Sequence, residues 1–223
     1  MKKALVVGGC TKPWHRIESA GPPIVKQLKS AGFEATLKGI FHPDGGDAWT
    51  GDYSSLTLKA LQDFDLLVLM TTDDECHGAI PAEISTWVEQ GGALAAIHGA
   101  AASFRDNDTY IQMLGAAFRY HPPQLTYTIQ PTMTQHEITK GVPSFSCFDE
   151  LYLFERYDDS TLTLLAETEA YEDEGRVPVL WVKQVGKGRM FYMAPGHNPE
   201  TMELPEWQTM FSRAVGWCLQ EVQ

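Results

Sequence analysis

The sequence predicts an α/β fold with a mostly parallel sheet covered by helices on both faces. Three observations predict it. Short apolar runs rich in branched residues recur at Ala4–Val7, Asp65–Met70 and Ala93–Ile97, the pattern of strands buried on both faces. Helical segments fall between them. Glycine stops follow the helices, at Gly32 and at Gly91-Gly92.

Taken in order, Ala4–Val7 is the first strand. Pro22-Pro23 is expected to open a helix that runs to Ala31. Glu34–Ile40 alternates and reads as a second strand, followed by a Gly/Asp/Pro loop over His42–Ser55. Leu56–Gln62 reads as a short helix and Asp65–Met70 as a strand, with the polar stretch Thr71–Ile80 past its end. Pro81–Gln90 is a helix with Ile84, Trp87 and Val88 on one face. Ala93–Ile97 is a strand, Tyr110–Leu114 a helix, and Thr126–Gln130 and Thr161–Glu167 are strands. Pro178–Val185 and Arg189–Met193 form a hairpin about Gly186-Lys187-Gly188, and Pro205–Leu219 is a closing amphipathic helix. No repeat or linker interrupts residues 1–223, so a single domain is expected.

The chain has 17 Lys and Arg against 29 Asp and Glu, a formal charge of −12. That balance speaks against nucleic acid and against an anionic membrane surface. It suits a neutral small molecule better than a phosphorylated one. The N-terminal apolar run is short and ends in Gly8-Gly9, so it reads as a strand and not as a secretion signal. A cytoplasmic location is the expectation. Cys10, Cys76, Cys147 and Cys218 are far apart with no Cys-x-x-Cys pair, and free thiols are expected.

Open α/β sheets bind ligands beyond the carboxyl ends of their strands. Four of the seven histidines fall at such places: His15, His77, His98 and His197. At least two of them are expected to share a pocket. His98 is the sharpest position. It follows a buried strand and precedes Gly99-Ala100-Ala101, the layout of an elbow that thrusts one side chain into a site. A histidine there suits proton transfer, metal ligation or oxyanion stabilisation. In Phe148-Asp149-Glu150-Leu151-Tyr152, an extended backbone puts Glu150 and Tyr152 on one face, a carboxylate and a phenol suited to acid/base work. An acidic surface turn is the alternative. Trp14 and Trp49 in loops are candidates for stacking on a sugar ring. His121, held extended by Pro122, is open either way. His136 reads as a turn-fixing residue before Gly141. No His-x-x-x-His pair exists, so a divalent metal would have to gather ligands from distant loops.

These motifs together resemble the ThuA-like (trehalose utilisation) family, whose fold is similar to class I glutamine amidotransferases. The resemblance rests on Ala96-Ile97-His98-Gly99-Ala100, Leu114-Gly115-Ala116-Ala117-Phe118 with His121-Pro122, and His136-Glu137-Ile138-Thr139-Lys140-Gly141-Val142-Pro143. It continues through Asp149-Glu150-Leu151-Tyr152, Pro178-Val179-Leu180-Trp181 and Gly186 to Tyr192 with Gly196-His197. Glu137 departs from the family's proline at that place. The resemblance implies a three-layer, flavodoxin-like sandwich of the amidotransferase type, with His98 standing where those enzymes carry their cysteine. Without that thiolate no glutamine thioester can form there, so glutaminase activity is not implied. What is implied is a role in disaccharide or keto-sugar catabolism.

The resulting expectation is a sugar-acting lyase, isomerase or hydrolase. His98 is its central acid/base, with His197, Glu150 and Tyr152 as partners. His15, Trp14, His121, Asp149 and His77 bind substrate or orient the others. Two alternatives stand beside it. One is a metal-dependent hydrolase with His98, His197 and Glu150 as ligands. The other is a non-catalytic module that binds a sugar or a partner. The closing helix leaves a homo-oligomer open.

Overall fold

The computed structural model of the chain describes residues 1–72 and 78–221. The elements run β1 (Lys3–Gly9), α1 (Ile17–Ser30), β2 (Glu34–Phe41), β3 (Thr50–Gly51), α2 (Leu58–Leu61), β4 (Leu66–Thr71), α3 (Ile80–Glu89) and β5 (Ala93–Ile97). They continue with α4 (Asp108–Leu114), β6 (Ala117–Tyr120), β7 (Leu125–Pro131), β8 (Phe145–Asp149), β9 (Leu153–Glu155) and β10 (Thr163–Ala170). The chain closes with β11 (Arg176–Val185), β12 (Gly188–Met193), α5 (Pro199–Met202) and α6 (Pro205–Cys218).

Among the described residues, ten strands form one sheet in the order β3-β2-β1-β4-β5-β12-β11-β10-β7-β8. Strands β2, β1, β4, β5 and β12 run parallel. From β12 through β11, β10 and β7 to β8 every pairing is antiparallel, and β3 is antiparallel to β2. The expectation of a mostly parallel sheet is therefore corrected: the second half is antiparallel. The reason is local. Parallel neighbours need a crossover of a dozen or more residues, usually a helix. No α-helix separates β7 from β8 or β10 from β11, so those strands can only turn back on themselves.

The parallel strands are buried on both faces, as in Leu66, Leu67, Val68 and Leu69, which are fully buried. Helices α1, α5 and α6 contact one another, and α3 contacts both α2 and α4. The crossovers step one way from β1 to β2 and the other way from β4 to β5. Trp207 and Phe211 of α6 stack at 5.2 Å between centroids, and Phe211 meets Phe191 of β12 edge-on. That contact seats α6 against the sheet, so the apolar face of the closing helix is spent on the chain's own core.

Helix α1 begins five residues earlier than the prolines suggest, and Pro22 and Pro23 lie inside it. The turn ahead of them is held by tertiary contacts. Ile17 and Gly21 are buried, and the Glu18 carboxylate accepts from the backbone N–H of His42. Packing thus outweighs the hydrogen bonds that two prolines cannot make. No helix among the described residues is long and apolar enough to cross a membrane.

Candidate active site

The end of β5 behaves as its sequence requires. His98 adopts φ 44°, a left-handed backbone rare for a residue with a side chain. The strained turn is nailed down from both sides: Tyr192 Oη donates to the His98 carbonyl at 2.9 Å, and Tyr110 Oη donates to the Ala100 carbonyl at 2.8 Å. Gly99 is required by space. A Cβ there would lie 2.0 Å from Thr72 Oγ1 and 2.7 Å from the Thr71 carbonyl oxygen. A backbone oxygen does not step aside cheaply. Gly99→Ala is expected to cost about 1–3 kcal/mol, lowering the melting temperature in a thermal scan by several degrees.

The His98 ring is buried, 3% exposed, and its Nδ1 lies 2.8 Å from the Ala194 carbonyl. A carbonyl can only accept, so Nδ1 carries a proton and Nε2 faces the site. Four more groups meet there. His98 Nε2 is 3.1 Å from His15 Nε2 and 3.2 Å from Glu150 Oε2. His197 Nδ1 lies 3.2 Å from Glu150 Oε1. His15 Nε2 and His121 Nε2 each lie 3.6 Å from Glu150 Oε2. Four histidines thus surround one carboxylate.

Each arrives from a different place in the fold. His15 comes from the loop after β1, His98 from the end of β5, Glu150 from the residue after β8, and His197 from the loop after β12. His121 and Tyr152 are set by an element that the sequence does not announce, a two-stranded ribbon of β6 and β9 in which Phe118 faces Phe154. His121 follows β6 and Tyr152 precedes β9. The Tyr152 ring packs 3.9 Å from His98 and lies nearly parallel to His121 at 5.8 Å.

Asp149 stands behind the site and not in it. It is fully buried, and its carboxylate is spent on the backbone. Oδ1 accepts from the N–H of Glu150 at 2.9 Å and of His197 at 3.1 Å, and Oδ2 from the N–H of Asn198 at 3.2 Å. Of the two roles open to it, binding substrate or orienting the others, its contacts are those of the second: it hangs Glu150 and His197 from one point.

Electrostatics follow from this crowding. Burial pushes His15 down to about 4, against the pull of Glu150, so it is neutral at pH 7. Burial would raise Glu150, but the imidazoles of His15, His197 and His98 around it overcome that and hold it far below the usual carboxylate range. Burial lowers His197, yet the Glu150 carboxylate beside it leaves the imidazole raised on balance. Burial drives the Tyr152 phenol well above its ordinary value, so it remains protonated and can only donate or pack. Cys147 is pushed up to about 12 by burial and offers no thiolate.

Two cavities flank the cluster. One of about 440 Å³ is lined by Thr72, Arg105, Phe118, His121, Glu150 and Tyr152, among others. One of about 290 Å³ lies on the His98 side, between Pro13, Gly99 and Asn198. Trp14, His15 and His197 line both. Trp14 is 56% exposed at their common mouth, with Lys12 Nζ 4.7 Å from its ring centroid. Of the histidines expected to share a pocket, His15, His98 and His197 do; His77 lies outside the described residues. Trp49 lines neither cavity. His42 is buried between the carbonyls of Cys10 and Gly46, and His136 Nδ1 accepts from the N–H of Ile138, so both serve loops. Thr72 and the Ala194 carbonyl were not singled out from sequence. Position just past a strand's end was the available signal for Thr72 and Ala194.

The protein-family model for ThuA, trehalose utilisation, matches residues 3–218. The chain belongs to the ThuA family. Solved structures agree on the fold. A protein of Parabacteroides merdae ATCC 43184 described as ThuA-like superposes with a TM-score of 0.77 at 16% identity, over 100% of this chain and 91% of that one. A second ThuA-like protein, from Bacteroides uniformis ATCC 8492, gives 0.74 at 19% identity, over 97% and 91%. A Thermoplasma acidophilum protein described as a GMP synthase subunit gives 0.60 at 14% identity, over 99% and 95%, consistent with the amidotransferase-like fold. No curated protein matches the chain. As a ThuA family member it carries the family's association with trehalose utilisation, and His98 occupies the elbow.

Proposed function

We propose that this ThuA protein is an enzyme of sugar utilisation, acting on a neutral sugar or its keto derivative in the cavity over Glu150. The observation that carries the reading is the convergence of His15, His98, His121 and His197 within 3.6 Å of one carboxylate beside a cavity. Buried, mutually perturbed titratable groups are costly to a fold and are concentrated where chemistry is done. The family supplies the substrate class.

The division of labour follows from access. His98 has both ring nitrogens engaged, so in place of the central acid/base role expected of it, it anchors the cluster. His121 stands at the mouth with its side chain 35% exposed. Its Nδ1 lies 2.8 Å from the Pro122 carbonyl, which fixes that nitrogen as the donor and leaves the Nε2 lone pair toward the cavity. A ketone acidifies the C–H beside it. His121 takes that proton, and the carbonyl oxygen, as it gains charge, lies against His197, whose imidazole Glu150 favours in its protonated form. The resulting enediol or enolate then either expels the glycosidic oxygen or is reprotonated as an isomer. Trp14 offers an aromatic face at the entrance. Trp14→Ala is expected to raise KM about tenfold (~1.4 kcal/mol) with kcat within about twofold.

The test is turnover of His98→Ala on a panel of keto-disaccharides, with products identified by mass spectrometry. A fall of at least about 100-fold is expected. Full turnover by that variant sinks the assignment. Sugar binding measured by calorimetry in wild type, with no product from any member of the panel, favours a binding module instead.

A further inference from the structure

The sugar reading leaves one feature of the cluster unexplained, and this feature stands whether or not that reading holds. The donor atoms of His15, His98, Glu150 and His197 all lie within 4.8 Å of one another. Their contacts cannot all be satisfied as hydrogen bonds at once. His98 spends its Nδ1–H on the Ala194 carbonyl, so a neutral ring turns a lone pair toward Glu150 Oε2 at 3.2 Å and toward His15 Nε2 at 3.1 Å. His197 Nδ1 approaches Glu150 Oε1 to 3.2 Å, yet it is not aligned to donate to it and has no hydrogen-bond partner among the described residues. More acceptor atoms than protons crowd about one centre, which is how ligands to an ion are arranged.

We infer that this cluster is a binding site for a divalent first-row transition ion, with His15 Nε2, His98 Nε2, His197 Nδ1 and a Glu150 oxygen as its four protein ligands. The spacing fits. Two donors about 2.1 Å from one ion lie about 3.0 Å apart at a right angle, about 3.4 Å at the tetrahedral angle and about 4.2 Å when opposite. Three imidazoles and one carboxylate select zinc, manganese, iron, cobalt or nickel over calcium and magnesium, which prefer all-oxygen sites. The outer supports that metal ligands need are present. The Ala194 carbonyl fixes the His98 tautomer, and Asp149 holds the backbones of both Glu150 and His197. His121 stands outside the ligand set and keeps its own lone pair.

The experiment uses tag-free protein stripped with a chelator and titrated with zinc chloride by calorimetry and with cobalt chloride by visible absorption. One ion per chain is expected, with micromolar or tighter affinity, a melting temperature raised by several degrees, and cobalt ligand-field bands. Glu150→Gln and His98→Gln should each weaken binding at least about 30-fold, whereas His136→Gln leaves it unchanged. No saturable binding up to about 1 mM zinc, or equal binding by wild type and a Glu150→Gln/His98→Gln double variant, overturns the proposal. Should those variants fail to fold, histidine ring resonances of the wild type decide it. Zinc should shift those of His15, His98 and His197; shifts confined to other histidines overturn it.

Discussion

Glu150→Gln is expected to lower turnover on a keto-disaccharide by at least about 100-fold while leaving the fold intact. Glutamine keeps the shape and volume of the side chain and gives up its charge. In the native site that charge is shared among His15, His98, His121 and His197, all within 3.6 Å. Removing it withdraws the support that favours a protonated His197 and so weakens what meets the developing oxyanion. Circular dichroism and a thermal scan alongside the assay separate loss of chemistry from loss of structure. Equal kcat/KM for variant and wild type would show that the carboxylate is a packing group only.

Asp149→Ala should act the other way round, through structure first. Its carboxylate is fully buried and satisfies three backbone N–H groups. Truncation orphans those donors in a dry setting, and each unsatisfied buried group costs about 1–3 kcal/mol. A loss of about 3 kcal/mol or more is expected in denaturant unfolding. Activity should fall too, because Glu150 and His197 lose their common anchor. Asp149→Asn gives the finer readout. Its amide oxygen can still accept but no longer as an anion, so it should recover part of the stability and part of kcat, with KM little changed. An Asp149→Ala protein as stable as wild type would contradict the positioning role.

How much of this was legible in the sequence depended on how local the signal was. The strand at Ala93–Ile97 and the elbow after it were readable in full, because a buried apolar run followed by His98-Gly99 leaves the backbone few options. The hairpin about Gly186-Lys187-Gly188 was equally clear. Helix α1 was misjudged because proline is a strong local signal, and the burial of Ile17 and Gly21 that overrides it comes from elsewhere in the chain. The ribbon of β6 and β9 was missed because its strands are only four and three residues long. The site was half legible. That histidines collect at strand ends was visible; that His15 and His98, 83 positions apart, sit 3.1 Å from each other was not. The roles of Asp149 and Glu150 depend on where β8 ends, since the chain leaves the strand at Asp149 and Glu150 alone turns into the cavity.

A crystal structure of the protein soaked or co-crystallised with a keto-disaccharide tests the central claim most directly. The account predicts the sugar in the cavity over Glu150, with its carbonyl oxygen within hydrogen-bond distance of His197 and the adjacent C–H facing His121 Nε2. A sugar seated away from Glu150, or one that touches Trp14 but leaves the histidines untouched, would contradict it.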